Sequence, residues 1–254
     1  MKFERKQALV TGAGSGIGAA VTAGLVANGA TVIAADLNLE SLESLWKNEP
    51  NVRISQLDVT SEAEWAALFT SIGRLDLFVA SAGISLASPL EKTSLEDWRR
   101  VMSVNLDGAF LGVRYSIGVM RKAQKGSIVL IGSASGTKAA SGASAYCASK
   151  AALRMFAKVA ALECKADGIR INTVSPAGVA TPMWKSMAFW DDLVKQHGSE
   201  EAAWNALGGI DPSKPALQRM AFPEEIARAI LFLCSEDSAG VTATDLAVDG
   251  GYTA

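Results

Sequence analysis

QALVTGAGSGIGAAVTAGLVANGATVIAAD, residues 7–36, decides the fold. Gln7–Thr11 is an apolar run of strand length, TGAGSGIG (Thr11–Gly18) is a glycine-rich turn, and Ile17, Val21, Leu25 and Val26 follow at helical spacing. Thr31–Ala35 reads as a second buried strand that ends at Asp36. Gly12, Gly16 and Gly18, with Ser15 and Ile17 among them, let the backbone turn sharply and approach a pyrophosphate. The helix that follows aims its free amides and the positive end of its dipole at the same point. Asp36 stands eighteen residues after Gly18, where a carboxylate accepts both ribose hydroxyls of an adenosine and repels a 2′-phosphate. Ser15 and Leu37 offer no cation to offset it, so the expected cofactor is NAD. The competing reading is an aspartate that caps the next helix.

Downstream, strand and helix keep alternating. Asn38–Lys47 is helical, Val52–Leu57 is a strand, and Asp58 and Val59 follow at the same edge. Asp58 either accepts from an adenine amino group or caps the helix beginning near Ser61. Leu75–Ala80 is a fourth strand running into Ser81, Ala82 and Gly83, small enough for a dinucleotide to lie against the backbone. Ser94–Met120 reads as one long helix whose apolar face carries Asn105, an amide that either stitches a helix irregularity or holds water. Ser127–Gly132 is a fifth strand, and Arg170–Ser175 a sixth that leads into PAGVATPM. Residues 183–222 leave the alternating pattern and hold Trp184, Met187, Phe189, Trp190, Trp204 and Leu207. They read as a partly helical lid whose aromatics line an apolar pocket, against a satellite core under a long loop. A helix opening at Pro223 and a strand at Thr244–Val248 complete the chain. The expected fold is a single α/β domain over 1–254: a doubly wound, seven-stranded parallel sheet, Rossmann-type, in three α/β/α layers.

The fifth strand delivers SASGTKAASGASAYCASK, Ser133–Lys150, to the carboxyl edge where ligands gather. Tyr146 and Lys150 are four apart, so on a helix they share one face. A fixed ammonium beside a phenol, whose free pKa is about 10, favours the phenolate and makes a general base. Ser133 can offer a hydroxyl to the same substrate oxygen, and Ser135 and Cys147 would border that substrate. The helix continues rich in alanine, which suggests a subunit contact on its outer face.

The 254 residues are 49% hydrophobic and 20% charged, enough for a substantial core. Lys and Arg total 24 against 26 Asp and Glu, for a net charge of −2, which disfavours nucleic acid as a partner. No signal-peptide core or membrane span is visible, so a soluble, cytoplasmic protein is expected. Cys147, Cys164 and Cys234 lack metal-ligand spacing, and the lone His197 has no triad partners nearby, so neither a metal site nor hydrolase chemistry is indicated.

With these motifs in this order, the chain resembles the short-chain dehydrogenases/reductases, compact single-domain branch, over nearly its whole length. TGAGSGIG fits that family's TGxxxGxG turn, Tyr146–Lys150 fits YxxxK, and Ser133 and Asn105 fit its remaining catalytic positions. The resemblance implies that Tyr146 exchanges a proton with the substrate oxygen and that Ser133 hydrogen-bonds that oxygen. It also implies that Lys150 binds the nicotinamide ribose and acidifies the tyrosine, while Asn105 holds a water. Pro176, Gly178, Val179 and Thr181 would border the nicotinamide. Two departures stand out: Ala80–Gly83 reads ASAG where the family often has NNAG, and its Pro-Gly is here Pro176-Ala177 with Gly178 one place later. The implied activity is hydride transfer between NAD(H) and a secondary alcohol or ketone, cyclic or hydrophobic, since VDGGYTA resembles members acting on alicyclic alcohols and steroids. Reduction of a 3-oxoacyl thioester is the close rival, a non-catalytic NAD sensor the distant one. A homotetramer is the expected assembly.

Overall fold

A computed structural model describes residues 1–254, and in it seven parallel strands form one sheet of order β3-β2-β1-β4-β5-β6-β7. In chain order the first half runs β1 (Gln7–Thr11), α1 (Gly16–Ala27), β2 (Thr31–Asp36), α2 (Leu39–Trp46), β3 (Val52–Gln56), α3 (Glu62–Thr70) and β4 (Leu77–Ala80). The second half runs α4 (Leu95–Met102), α5 (Gly108–Ala123), β5 (Gly126–Ile131), α6 (Ser144–Cys164) and β6 (Ile169–Pro176). It ends with α7 (Trp190–His197), α8 (Glu200–Ala206), α9 (Pro223–Cys234) and β7 (Asp245–Val248). Central strands are buried end to end, as in β4 and β5, because helices cover both faces. The outermost strands β3 and β7 are only partly covered.

Alternation along each strand sends neighbours into different layers. Leu9, Ile33, Phe78, Ile128 and Leu130 pack with α3, α5 and α6, through Trp65, Leu111, Leu153 and Ala157. Ala8, Val10, Val32, Val79 and Val129 pack with α1 and α9 on the other side, through Val21, Leu25, Ile226 and Ile230. Each fully buried leucine or isoleucine contributes about 1.5–3 kcal/mol of transfer free energy.

The order reverses between β1 and β4, and the loops leaving those strands meet there. The Thr11 hydroxyl accepts from the amides of Ser81 (3.2 Å) and Ala82 (3.3 Å). A Cβ on Gly12, whose φ is +67°, would stand 2.8 Å from the Ala82 nitrogen, so only glycine allows this approach. A backbone-to-hydroxyl tie therefore braces the centre of the sheet where the family's usual asparagine is replaced by Ser81.

The stretch from Ser94 to Met120 is not one helix. A π turn, Ser103–Asp107, separates α4 from α5. At its centre is Asn105, 1% exposed, whose amide bonds α6 and the loop after β4. Its Oδ1 accepts from Ile84 N (2.8 Å), and its Nδ2 donates to Ile84 O (2.9 Å) and Ser149 Oγ (3.0 Å). Wider π turns of this kind mark functional sites in helices.

Candidate active site

The side chains expected to handle the proton lie on two segments. Ser133 leaves β5 and caps a short turn, its Oγ accepting from Ser135 N at 3.1 Å and so keeping its own proton free to donate. On α6, the Lys150 ammonium is buried and donates to the Ile131 carbonyl at 2.7 Å, lying 5.7 Å from the centre of the Tyr146 ring. Gly83 closes the group: a Cβ there would stand 3.2 Å from Asn105 Oδ1 and 3.6 Å from Lys150 Nζ. Asn105, Ser133, Tyr146 and Lys150, drawn from three segments, thus meet at the carboxyl edge.

The electrostatics differ from the expectation of a phenol acidified by its lysine. Burial pushes the Tyr146 phenol up, Ser133 acts downward, and the Cys147 thiol beside it acts upward. Burial also pulls the Lys150 ammonium down to about 8, since its hydrogen-bond partner is a neutral carbonyl rather than a carboxylate. Within the chain alone, loss of water outweighs the lysine's attraction for a phenolate.

Beside this group the crevice has the form of a dinucleotide cradle. The amides of Gly16, Ile17 and Gly18 find no acceptor in the chain, no acidic residue occupies the first turn of α1, and Ser15 leaves that helix without a side-chain cap. Gly18 lies so close to the Gly12 carbonyl that a Cβ would sit 2.1 Å from its oxygen. Gly14 touches Asp36 in the same way, and the Asp36 carboxylate accepts from Gly14 N and from Asn38 N, both at 2.9 Å. Asp36 caps no helix; Asn38 caps α2 through Ser41 N. Ser61 caps α3, while Asp58 bonds Thr60 within the loop before it and leaves one carboxylate oxygen unspent. Val59 is buried and Leu37 is exposed at the rim. The loop after β6 folds over the glycine turn, with the Thr181 methyl 3.2 Å from where a Gly16 Cβ would be. That loop is held by pairing of Gly178 and Ala180 with Ala221, which leaves Pro176 at the strand end and Val179 beneath. Unspent amides, close-approach glycines and a pre-set carboxylate fit a nicotinamide dinucleotide, which Gly12–Gly18, Asp36, Ser81–Gly83 and Thr181 would hold.

The 183–222 segment combines both readings of its aromatics. Trp184 is tied by its indole N–H to the Val179 carbonyl at 2.8 Å and meets Phe189 edge-on at 6.4 Å; both stay half-buried, as does Met187. Trp190 instead turns inward onto Trp204, 5.0 Å between ring centres, in a small core with Ala203 and Met220. Trp190 therefore does not line the substrate pocket with Trp184, Met187 and Phe189, as its place among the aromatics of this segment predicts, because its ring is taken up by this core. Arg219 bolts the end of the segment to α9 through Glu225, at 2.8 and 3.0 Å, and holds that carboxyl down at about 2. Nothing in the spacing of the sequence announces this clamp. Ser135 and Cys147 remain partly open beside Ser133 and Tyr146. A separate cavity of about 450 Å³ opens at the amino edge of the sheet among Lys6, Asp76, Arg170 and Glu236, away from this chemistry.

A doubly wound sheet with a dinucleotide cradle beside a serine, a tyrosine and a lysine defines a dinucleotide-dependent oxidoreductase. The family model described as enoyl-(acyl carrier protein) reductase, adh_short_C2, matches residues 12–253. The chain is 37% identical over 257 residues to cyclopentanol dehydrogenase of Comamonas testosteroni, covering 98% of this chain and 97% of that one. It is 33% identical over 266 residues to an NADP-dependent (R)-specific alcohol dehydrogenase of Lentilactobacillus kefiri, covering 100% and 98%. A solved structure of levodione reductase superposes with a TM-score of 0.86 at 31% identity, covering 99% of this chain and 98% of that one. The chain belongs to the short-chain dehydrogenase/reductase family.

Proposed function

We propose that this protein is an NAD-dependent dehydrogenase that interconverts a secondary alcohol and its ketone, with a cyclic or hydrophobic substrate. The meeting of Ser133, Tyr146 and Lys150 beside the cradle carries the reading. In oxidation Tyr146 Oη takes the hydroxyl proton of the substrate; in reduction it returns it. Ser133 donates its free O–H to the same oxygen, because its lone pair already serves Ser135 N. The bound nicotinamide supplies or accepts the hydride. Lys150 spends one N–H on Ile131 and keeps two, for the cofactor ribose and for the electrostatic support of a Tyr146 phenolate. The raised phenol pKa suits the acid role in ketone reduction; the base role draws on added positive charge beside it. Asn105, whose amide N–H groups are taken by Ile84 and Ser149, would hold the water that links Lys150 to solvent only through the second lone pair of its Oδ1.

Asp36 supports NAD over NADP, since its carboxylate is pinned where a 2′-phosphate would lie, although an NADP-dependent relative exists. The same residue weighs against 3-oxoacyl-thioester reduction, a role that usually draws on NADPH. A silent NAD sensor would have no use for an intact Ser133, Tyr146 and Lys150. Half-buried Trp184, Met187 and Phe189, together with Ser135 and Cys147, border the substrate, under a lid at 183–222 of a single domain. We place the protein in the cytoplasm as a homotetramer. Ala145, Ala157, Ala160 and Ala161 of α6 turn inward, and Met155, Val159 and Leu162 on its outer face, with Phe110 on α5, form the exposed apolar surface that a second copy would cover. No helix is long and apolar enough to cross a membrane.

Tyr146→Phe tests the core of the proposal. Turnover of a panel of cyclic, steroidal and thioester substrates, followed by NADH absorbance, should vanish while NADH binding persists. Activity within about tenfold of the parent would remove Tyr146 from the chemistry, since general acid–base catalysis contributes about 10²–10⁴-fold.

A further inference from the structure

On α6, Tyr146, Lys150 and Arg154 follow one another at four-residue spacing and so share a face. The loop leaving β5 comes down on this face. A Cβ on Gly136 would stand 3.0 Å from the Lys150 backbone carbonyl, so the loop rests directly on the helix. Arg154 Nη1 clasps the loop, donating to Gly136 O at 3.0 Å and to Thr137 Oγ1 at 2.6 Å. From behind, Arg154 Nε lies 2.7 Å from Asp245 Oδ2 on β7, an ion pair off the hydrogen-bond line. The other Asp245 oxygen accepts from Thr173 at 2.5 Å and Ser175 at 2.6 Å, so the carboxylate is fixed against β6. Ser133 is coupled to the clasped residues, its carbonyl accepting from Gly136 N at 2.9 Å and its hydroxyl from Ser135 N at 3.1 Å.

We propose that Arg154, oriented by Asp245, is a positioning residue that sets Ser133 at its working distance from Tyr146 and Lys150. The inference rests on the functional reading above. A planar guanidinium can face a carboxylate with one nitrogen and two loop acceptors with another, a division that a lysine ammonium cannot reproduce. The pair is three-quarters or more enclosed, with side-chain exposures of 24% and 10%, so its geometry is held by the fold rather than by solvent. Neither residue touches the reacting atoms; each acts through the loop.

The test compares Arg154→Lys and Thr137→Val in the parent and in a Ser133→Ala background. Thr137 is exposed, so its variant folds even where Arg154→Lys does not. In the parent, each should lower kcat by about tenfold or more, the scale of a sub-ångström misplacement, with NADH affinity by fluorescence titration unchanged. The midpoint of the kcat–pH profile should move upward, because Ser133 is what pulls the Tyr146 phenol down. In the Ser133→Ala background the same changes should cost little more, since their effect passes through the missing hydroxyl. Equal losses in both backgrounds, or an unmoved pH midpoint with parent-like kcat, would overturn the positioning role. Parent-like turnover by Ser133→Ala itself would instead overturn the functional reading, and the two failures are told apart by that single variant.

Discussion

Asp36→Asn gives the sharpest test of how the cradle selects its cofactor. The carboxylate accepts two backbone amides at 2.9 Å each, so it is placed before any ligand arrives and still has lone pairs for ribose hydroxyls. A hydrogen bond to such a charged group contributes about 1.5–3 kcal/mol. A 2′-phosphate carries a charge of about −1.5 to −2. Unit charges about 4 Å apart repel by about 1 kcal/mol in bulk water and about 4 kcal/mol near a protein surface. The repulsion is then at least about 1.5 kcal/mol, and the two effects together reach at least about 3 kcal/mol, or more than about a hundredfold in selectivity. Asparagine keeps one acceptor oxygen and turns an NH₂ toward the second backbone amide, which loosens the glycine turn. That damage burdens both cofactors alike and cancels in their ratio. With kcat/KM measured for NAD and NADP by reduced-cofactor absorbance, the parent should prefer NAD by at least about a hundredfold. Asp36→Asn should erase most of that preference, and added salt should narrow the parent's ratio. A parent that uses both cofactors comparably, or a variant with an unchanged ratio, refutes the reasoning.

Other outcomes follow from the buried charges and the open face. Lys150 falls to about 8 in the folded chain, so the unfolded chain holds the proton more tightly. Burial therefore penalises the fold below about pH 8, and the penalty lifts as pH rises toward the free value of 10.5. Lys150→Met should abolish turnover without lowering Tm at neutral pH, gaining up to about 3 kcal/mol less whatever the Ile131 bond supplied; a clear fall in Tm counts against it. Glu225, held at about 2, gives the lid its clamp in full above its free value of 4.5 and loses it as pH falls toward about 2. Tryptophan fluorescence and limited proteolysis should show the lid loosening across that window, and Glu225→Gln should show it at neutral pH. An acid-insensitive lid in the parent would remove the clamp. If the protein is the proposed tetramer, Leu162→Glu on the exposed outer face of α6 should dissociate it in light scattering; an intact tetramer would move the interface elsewhere.

The strands, the glycine turn, Asp36 and the Tyr146–Lys150 pair were legible in the sequence because each rests on local rules: alternation, backbone permissiveness and helical spacing. Features set by distant contacts were not. Periodicity ran straight through Asn105, although the side chain there had left the helix pattern to bind Ile84 and Ser149. The lid aromatics announced burial but not direction, so Trp190 gave no sign that it faces Trp204. Tyr146 and Lys150 promised an acidified phenol by proximity, and only their enclosure reveals how strongly lost hydration opposes it. Arg154 and Asp245 are ninety-one residues apart, joined only by the way β7 closes the sheet beside β6. Gly14 and Gly136 gave no signal in the sequence, although a Cβ at Gly14 would meet the Asp36 carboxylate and one at Gly136 the Lys150 backbone.

The two core layers have a consequence for how this protein can change. Parity along a strand is an address: Leu130 packs into the layer of α3, α5 and α6, whereas Val129 packs into the layer of α1 and α9. On the function proposed above, adjacent residues thus report to different halves of the reaction. A cavity at Leu130, at about 2–5 kcal/mol for leucine to alanine, slackens the support behind proton transfer. A cavity one residue earlier slackens the grip on the cofactor instead. On that proposal, proton handling and cofactor affinity can drift or be engineered separately, from opposite sides of one sheet.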